Sequence, residues 1–404
     1  MERLIRSMIV AAVVWLIAGC GGGGSSSSPP IDLTITPGDG QVTLTWTMDG
    51  VSSYWAFYAP GTTISTADWN TLPGAKAALG ITSPAVISGL TNGTTYAFTM
   101  NARIGSGAGG PGTAAIAVTP RLAGSTWTAG AAVGTTDLNA AAYGTAGGNT
   151  YLVVGAGGKI ATSSDGATWT TRTSTTTADL NGVAFGASVY VAVGAAGAVL
   201  YSTDGVTWTA ATSPTGNALN GVASNGSNVF VAVGANGTIL YSGNGTSWSA
   251  ATSGTANDLR AVGYGGGLFV AVGASGTVLY SGDGFNWTAA TSGTAATLTG
   301  IAYGTDASSS TAQFVAVGST GVLLTSPNAT TWTSFGPLPT ANPTGIAYGN
   351  QFVLVGNAGA IYTSTTGTTW TAQTSGTAAN LKGVGRSGFS YLAVGVNGLN
   401  LLSK

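Results

Sequence analysis

Charged residues are scarce in this chain. Only 6% of its 404 residues are Asp, Glu, Lys or Arg, and the formal net charge is −1. Nucleic-acid binding usually requires a strongly basic face, so we expect no nucleic-acid partner. The sequence has no histidine, and its single glutamate is Glu2. Beyond Glu2 the chain therefore lacks the commonest general bases and most metal ligands, and we predict no metal site, no cofactor and no enzymatic activity.

The first thirty residues have the layout of a secretion signal followed by a tether. Basic residues precede an apolar run from Met8 to Ala18, which is too short to span a bilayer. Leu16 to Cys20 resembles the lipobox of bacterial lipoproteins, which implies that residues 1–19 are cleaved off and that Cys20 is acylated. Cys20 is the only cysteine, so it has no disulfide partner. We predict a lipid anchor at Cys20 and a Gly/Ser/Pro tether over residues 20–30. The alternative is an ordinary signal peptide with an incidental cysteine.

The anchor also predicts where the protein resides. By resemblance to lipoprotein sorting in Gram-negative cells, Gly21 after the cysteine implies the outer membrane. We therefore expect a monomer that is attached to the membrane through its lipid. Whether it faces the periplasm or the cell exterior stays open.

Residues 31–120 form short alternating segments separated by turns, a pattern typical of antiparallel β-structure. Residues 87–100 resemble the E–F corner of a fibronectin type III domain, with Tyr96 at the family's tyrosine corner. The resemblance implies that Trp46 lies in the core, that the Tyr96 hydroxyl bonds upstream backbone, and that residues 113–119 form the last strand. Such a module can be a spacer or a binder, and the spacer is the simpler interpretation because a fold does not specify a function.

Residues 121–404 contain one unit that is repeated seven times. An aromatic-x-x-Val-Gly pentad begins at Tyr151, Tyr190, Phe230, Phe269, Phe314, Phe352 and Tyr391. A tryptophan recurs in step with it, at Trp127, Trp169, Trp208, Trp248, Trp287, Trp332 and Trp370. Repeats of this length with four short strands each are typical of β-propeller blades. We therefore predict an all-β protein, with a fibronectin type III-like sandwich followed by a seven-bladed β-propeller.

One complete unit predicts four strands, at residues 181–185, 189–193, 198–201 and 207–210. The phase of the repeat also predicts how the ring closes. Trp127 has no strands of its own unit before it, and the pentad at Tyr391 is followed by no tryptophan. The segment around Trp127 can therefore supply the fourth strand of the last blade, which would hide both free sheet edges.

A turn of the form Ser-x-Asp/Asn-Gly precedes four of the tryptophans, and two weaker copies follow. The six segments are 163–169, 202–208, 242–248, 281–287, 326–332 and 364–370. They resemble the Asp-box of BNR-repeat propellers, as in sialidases and photosystem II assembly factor-like proteins. The side-chain oxygen of such a turn accepts backbone N–H groups and the glycine adopts positive φ, so we predict a structural role.

The sialidase resemblance implies three catalytic features: an arginine triad, a tyrosine activated by glutamate, and an aspartate that acts as the acid. The propeller region has only four arginines, none in a matching motif, so we exclude this activity: Arg121, Arg172, Arg260 and Arg386. A glycoside hydrolase with paired aspartates stays open as a weaker alternative. Its carboxylates would come from Asp137, Asp179, Asp258 or Asp306, although capping of turns explains the first three more simply.

Ligand binding is then the expected function, on the side where the loops lead into the first strand of each unit. The residue at the start of that strand differs among the units, while the rest of the strand is similar in all of them. The candidate binding residues are Asn139, Asn181, Asn220, Arg260, Thr299, Thr344 and Lys382. We expect Arg260, Lys382, Lys159 and Arg172 to place positive charge on the same side, which suits an acidic glycan or a carboxylate-bearing partner. The simpler alternative is a solvated polar rim.

Two functions remain. The first is a surface-displayed lipoprotein whose propeller binds a glycan or a protein partner. The alternative is an assembly scaffold for an envelope complex, as the photosystem-related resemblance implies. One sector differs from the rest of the repeat, through an insert in the sixth unit, Thr305 to Ala312, and a loop at residues 337–339. These segments are either an interaction site or loop growth that the fold tolerates.

Overall fold

The computed structural model describes residues 28–48, 52–105, 109–338, 342–388 and 390–404. They form two compact units, one up to Leu122 and one from Ala123 to Lys404. Both are built from β-strands and short 3-10 turns, so the all-β prediction is confirmed. Within these ranges no helix is long and apolar enough to cross a bilayer. The predicted signal peptide, Cys20 and most of the tether lie outside the described residues.

Among its described residues, the first unit contains seven strands and one 3-10 turn, at Trp69–Thr71. The strands are β1 (Ile31–Gly38), β2 (Gln41–Thr47), β3 (Ser52–Pro60), β4 (Lys76–Ile81), β5 (Ala85–Ser88), β6 (Tyr96–Ile104) and β7 (Ile116–Val118). They form two antiparallel sheets, with strand orders β1-β2-β5 and β4-β3-β6-β7. Alternate residues of β2, which are Val42, Leu44 and Trp46, are buried in the core, as period-two patterning requires. The Thr91 N–H donates to the Tyr96 hydroxyl at 3.2 Å, which is an upstream backbone bond of the predicted kind.

The second unit contains seven four-stranded antiparallel sheets within the described ranges, which we number in chain order. Sheet 1 consists of β9 (Leu138–Gly144), β10 (Thr150–Gly155), β11 (Lys159–Ser163) and β12 (Thr170–Arg172); sheet 2 of β13 (Leu180–Gly186), β14 (Val189–Gly194), β15 (Val199–Ser202) and β16 (Thr209–Ala210); and sheet 3 of β17 (Leu219–Ser224), β18 (Phe230–Gly234), β19 (Ile239–Ser242) and β20 (Ser249–Ala251). Sheet 4 consists of β21 (Leu259–Gly265), β22 (Leu268–Gly273), β23 (Val278–Ser281) and β24 (Thr288–Ala290); sheet 5 of β25 (Leu298–Asp306), β26 (Thr311–Gly318), β27 (Leu323–Ser326) and β28 (Thr333–Phe335); and sheet 6 of β29 (Pro343–Tyr348), β30 (Phe352–Gly356), β31 (Ile361–Ser364) and β32 (Thr371–Gln373). Sheet 7 consists of β33 (Leu381–Ser387), β34 (Ser390–Gly395) and β35 (Asn400–Ser403), and its fourth strand is β8 (Thr128–Ala129), which comes first in the chain. A 3-10 turn joins the second and third strands of each sheet, at Ala156–Gly158, Ala195–Gly197, Ala235–Gly237, Ala274–Gly276, Ser319–Gly321, Asn357–Gly359 and Val396–Gly398.

The seven sheets are arranged in a closed ring. The first strand of each sheet contacts the first strand of the next, and β33 of sheet 7 contacts β9 of sheet 1. Sheet 7 is completed by β8, in which Ala129 pairs with Leu401 and Thr128 with Leu402. The strand pairing expected for the segment around Trp127 is therefore present in the structure.

Two buried side chains hold the segment that precedes β8. The Gly124 N–H donates to the Ser403 hydroxyl at 2.7 Å, and the Gln351 amide donates to the Ala123 carbonyl at 2.8 Å. Buried backbone groups need such partners because an unsatisfied one costs about 1–3 kcal/mol. The closing strand is thus fixed both by sheet pairing and by side chains of sheets 6 and 7.

Sheet 2 shows how closely the repeat predicts strand positions. Its first three strands begin and end within one residue of the predicted bounds, but the fourth covers only Thr209–Ala210 instead of 207–210. The Thr207 N–H donates to the Asp204 carboxylate at 2.8 Å, which keeps Thr207 in the turn. The turn is therefore two residues longer than the sequence indicated.

The insert at residues 305–312 lies in sheet 5, which corresponds to the sixth unit when units are counted from Trp127. It lengthens the β25–β26 hairpin, and Asp306 pairs with Thr311 near the tip. The Ala307 N–H donates to the Thr365 carbonyl at 2.8 Å, and the Gln313 amide donates to the Thr366 carbonyl at 2.7 Å. Part of this hairpin therefore supports the neighbouring turn of sheet 6.

Candidate functional site

The seven candidate residues share one structural feature. Each lies at a β-bulge, where the pairing of the first and second strands skips one residue, as between Leu180 and Gly182. The residue before each of them is a buried anchor, such as Leu180 or Leu219. A bulge re-aims the side chain of its extra residue. Seven equivalent bulges thus form a ring of side chains, which we call the ring residues.

Most ring residues hold adjacent sheets together. Five of them donate a hydrogen bond to the carbonyl of the first residue in the next sheet: Asn139 to Leu180 at 2.9 Å, Asn181 to Leu219 at 2.9 Å, Asn220 to Leu259 at 2.7 Å, Thr299 to Pro343 at 2.8 Å and Thr344 to Leu381 at 2.7 Å. Lys382 donates to the Asn139 Oδ1 atom at 3.2 Å and so links sheet 7 to sheet 1. These six side chains therefore have a structural role in joining adjacent sheets, which we did not predict.

Arg260 behaves differently from the other ring residues. Its guanidinium pairs with Asp258, which immediately precedes the same strand, at 3.2 Å between Nη2 and Oδ2. Its side chain is 47% exposed and that of Asp258 37%. An exposed ion pair of this kind contributes at most about 1 kcal/mol, so a ligand carboxylate can compete for the arginine. Asp258 is itself held in place by the Asn236 N–H at 3.0 Å.

All seven ring residues line one cavity of about 270 Å³, together with the small and branched residues that follow them in the first strands. We call this space the ring cavity. Its two cations are partly neutralised. Lys382 pairs with Asp137 at 2.8 Å, and the hydrogen bonds from Lys382 and the Asn397 N–H lower the pKa of the Asp137 carboxyl. The cavity therefore offers a balanced set of charges, amides and hydroxyls rather than a strongly positive field.

Lys159 and Arg172 lie at the end of sheet 1 that also carries Asn139, but they are not among the residues that line this cavity. Each side chain bonds within its own sheet: Lys159 Nζ to the Thr171 hydroxyl at 3.2 Å, and Arg172 Nε to the Thr162 hydroxyl at 2.9 Å. The four cations expected on one side therefore do not form one group, and of the four only Arg260 and Lys382 line the cavity.

The aspartates considered for hydrolysis cap turns. Asp137, Asp179 and Asp258 each accept a backbone N–H from the 3-10 turn of the preceding sheet, at 2.8–3.0 Å. Asp306 lies at the hairpin tip of sheet 5, at the opposite end of the first strand, and accepts the Ser308 N–H. It therefore cannot pair with the other three, and no cluster of three metal-ligating side chains occurs among the described residues.

A larger open groove of about 580 Å³ lies against sheet 4. It is lined by uncharged Gly, Thr, Ser, Ala, Val and Leu residues between Gly254 and Ala295. Specific sites usually combine apolar walls with a few convergent polar or charged groups. The ring cavity meets that description better, because it brings two cations and several amides together.

The Asp-box turns have the predicted structural role. In sheet 2 the Asp204 carboxylate accepts the N–H groups of Val206 and Thr207, both at 2.8 Å, and the Gly205 N–H donates to the Ser202 hydroxyl. The bonds from the Thr207 and Val206 N–H groups lower the pKa of Asp204 from its ordinary 3.8 to about 2. The pKa values of Asp165 and Asp283 are lowered for the same reason, because backbone N–H groups stabilise the charged form.

Acid should destabilise the propeller through these turns. A carboxyl whose pKa is lowered in the folded state contributes its full stability above its ordinary pKa and loses it as the pH falls towards the folded value. We expect Asp204→Asn to remove one such contribution, because Asn244 makes the same two turn bonds in sheet 3, at 2.9 Å each. The variant should melt below the wild type near pH 7, because a neutral amide accepts these N–H groups less strongly than a carboxylate, and the difference should shrink between about pH 4 and 2. Parallel curves for the two proteins would contradict this assignment.

The sequence matches no protein-family model and no curated relative. Solved structures do resemble it. YCF48 bound to D1 peptide aligns with a TM-score of 0.56 and 20% identity, over 69% of this chain and 96% of that one. YCF48 from Cyanidioschyzon merolae aligns with a TM-score of 0.55 and 19% identity, over 69% of this chain and 98% of that one.

This chain contains a β-propeller fold. The likeness agrees with the ring of four-stranded sheets, and at this level of identity it concerns the fold alone.

Proposed function

We propose that this chain is a non-enzymatic lipoprotein of the cell envelope whose propeller holds a protein partner during assembly of an envelope complex. Residues 121–404 would form a seven-bladed propeller, and residues 31–120 a fibronectin type III-like spacer between the propeller and the acylated Cys20. The two-sheet strand order of the first unit and its Thr91–Tyr96 bond support the fibronectin-like assignment.

The observation that carries this proposal is the ring cavity. Its wall combines Arg260 and Lys382 with amide and hydroxyl side chains, so it can receive both a carboxylate and backbone amide groups. A protein segment with an acidic residue presents that combination. The likeness to YCF48 bound to D1 peptide supports a protein partner over a glycan.

The charges of the cavity favour the same conclusion. An acidic polysaccharide is best held by cations that lack competing carboxylates, whereas Arg260 and Lys382 each have an aspartate partner. A peptide can share these ion pairs, since it brings donors for the aspartates as well as acceptors for the cations. The glycan therefore becomes an outcome of the test.

Peptide binding tests the proposal directly. The purified full chain would be panned against phage that display random 12-residue peptides, and a selected peptide would be resynthesised with a fluorescent label for anisotropy titration. We expect acidic peptides to be selected, and the double variant Arg260→Ala, Lys382→Ala to weaken their binding by about 10-fold or more, because each charged hydrogen bond contributes about 1.5–3 kcal/mol.

Arg172→Ala is the matched control, because it removes an arginine of sheet 1 that does not line the cavity. Its Kd should stay close to the wild-type value. Retention of acidic glycans on an array, with no peptide selected, would contradict the protein-partner function. Equal peptide binding by the double variant and the wild type would exclude the ring cavity as the site.

A further inference from the structure

Sheets 1 and 2 carry the same three-residue motif where their first strands begin. The motif is Asp-Leu-Asn, at residues 137–139 in sheet 1 and 179–181 in sheet 2. None of the other five first strands in the ring begins with an aspartate and an asparagine at this spacing. The two copies can therefore be compared atom by atom, and the first of them binds a cation.

The copy in sheet 1 binds the ammonium group of Lys382. The Lys382 Nζ atom lies 2.8 Å from Asp137 Oδ2 and donates to Asn139 Oδ1 at 3.2 Å, so one nitrogen bridges a carboxylate and an amide oxygen. The backbone holds both side chains in place. Asp137 Oδ1 accepts the Asn397 N–H at 3.0 Å. Asn139 Nδ2 donates to the Leu180 carbonyl at 2.9 Å, which leaves its Oδ1 atom to the lysine.

The copy in sheet 2 is held in the same way. Asp179 Oδ1 accepts the Gly157 N–H at 2.8 Å, and Asp179 is exposed. Asn181 Nδ2 donates to the Leu219 carbonyl at 2.9 Å, and because a carbonyl only accepts, the amide atom that faces it is the nitrogen. The Asn181 Oδ1 atom is neither buried nor bonded within the described ranges, and Asn181 lines the ring cavity. A ligand can therefore reach both side chains.

The two copies differ in their cation. The ring residue of the preceding sheet supplies the ammonium group in sheet 1, where it is Lys382, but the corresponding ring residue for sheet 2 is the uncharged Asn139. The other cation of the cavity, Arg260, pairs with Asp258. Asp179 forms no ion pair with any described residue, so its charge is available to a partner.

A lysine side chain suits these two oxygens. Its ammonium group is compact and has three donors, which is enough for the carboxylate, the amide oxygen and a water molecule. A planar guanidinium would instead bind a carboxylate with two parallel bonds, which does not use the amide. A calcium ion takes about six to eight oxygen ligands, and the motif offers too few.

We propose that Asp179 and Asn181 bind a lysine side chain of the protein partner, as Asp137 and Asn139 bind Lys382. This inference rests on the proposed function and adds a second feature of the ligand, because the bound segment would carry a lysine as well as its acidic residue. Recognition of two opposite charges at different sheets would also fix the direction in which the segment lies across the ring.

The variant Asp179→Asn tests the site in the full chain. Sheet 7 shows that the fold accepts it, because Asn380 occupies the same position and its Oδ1 atom accepts the Ala358 N–H at 2.9 Å. We expect the phage-selected peptides to contain a lysine and to bind Asp179→Asn about 5-fold more weakly than the wild type, which is the effect of an exposed ion pair. The difference should shrink in about 0.5 M NaCl, because salt screens exposed charges.

Asp306→Asn is the matched control, because it removes a carboxylate at the opposite end of a first strand, and it should bind the peptide like the wild type. Asn181→Thr is a second variant that preserves the fold, since Thr299 and Thr344 make the bond to the next sheet from the same ring position. It should weaken binding in the same direction as Asp179→Asn, because it removes the amide oxygen.

Acetylation of the peptide lysine tests the contact from the side of the ligand. The acetylated peptide should bind the wild type about 5-fold more weakly, because its ammonium group is lost. It should lose little further affinity for Asp179→Asn, since two changes that remove the same pair are not additive. Equal losses on the two proteins would overturn the proposed contact.

The outcomes separate this inference from the proposed function. If the Arg260→Ala, Lys382→Ala variant weakens peptide binding while Asp179→Asn and acetylation do not, the lysine site is wrong and the peptide-binding function stands. Selected peptides without lysine would have the same meaning. If the wild type binds no selected peptide, the proposed function fails and the lysine site fails with it.

Discussion

Replacing Gly273 with alanine should destabilise the propeller by about 3 kcal/mol or more, although it adds a single methyl group. Gly273 ends the pentad of sheet 4, and a Cβ atom built on it would lie 2.1 Å from the Asp258 carbonyl oxygen and 2.8 Å from the Leu259 Cα atom. Both contacts are with backbone, which cannot move aside as a flexible side chain can. We expect Gly273→Ala to lower the urea midpoint of the propeller transition strongly.

Gly282 provides the matched control in the same sheet. Like Gly273, it does not have positive φ, but a Cβ atom there would meet no other atom within 4 Å. Gly282→Ala should change the stability by no more than about 0.5 kcal/mol. Equal urea midpoints for the two variants would show that the close approach at Gly273 does not govern the stability of the sheet.

The second large effect concerns the closing strand. A chain that begins at residue 131 lacks β8 and the Ala123 and Gly124 contacts, so the β35 edge and the buried Leu401 side chain would become exposed. Domains are stable by only about 5–15 kcal/mol, and the loss of an edge strand with its buried contacts removes a large part of this. We expect this chain to lose its cooperative thermal transition and to aggregate through the free edge.

A chain that begins at residue 121 is the control, because it retains β8 and omits only the first unit. It should unfold cooperatively in differential scanning calorimetry at a temperature close to that of the propeller transition in the full chain. Cooperative unfolding of the shorter chain at the same temperature would contradict closure of the ring by β8.

Much of the fold could be predicted because the repeat exposes it. The pentads and tryptophans locate the strands of every unit, and the missing strands around Trp127 and after Tyr391 indicate the partners that the structure pairs in sheet 7. The Asp-box turns could be predicted for the same reason, since Asp, Asn and Gly have specific roles in backbone geometry. Periodic local signals of this kind can be recognised in a sequence without any knowledge of tertiary contacts.

The role of the ring residues could not be predicted in the same way. Their variation along the repeat indicated a binding surface, but Asn181 and Asn220 serve an adjacent sheet, which depends on a bulge that no single unit reveals. The pairing of Arg260 with Asp258 is equally invisible in a list of variable positions. One sequence signal was available: the glycine that ends each pentad is required by the close approach of the backbone before the bulge.

The strand that completes sheet 7 also has a consequence for biosynthesis. Gly124 and Ser403, which bond each other in the closed ring, are 279 residues apart in sequence. The ribosome makes the closing segment before any of the seven propeller sheets and makes its partner strand after all the others, so the nascent propeller keeps an unpaired strand edge throughout its synthesis. Contacts between such distant residues form slowly. Chaperones that shield strand edges should therefore matter most to this protein before residue 403 emerges.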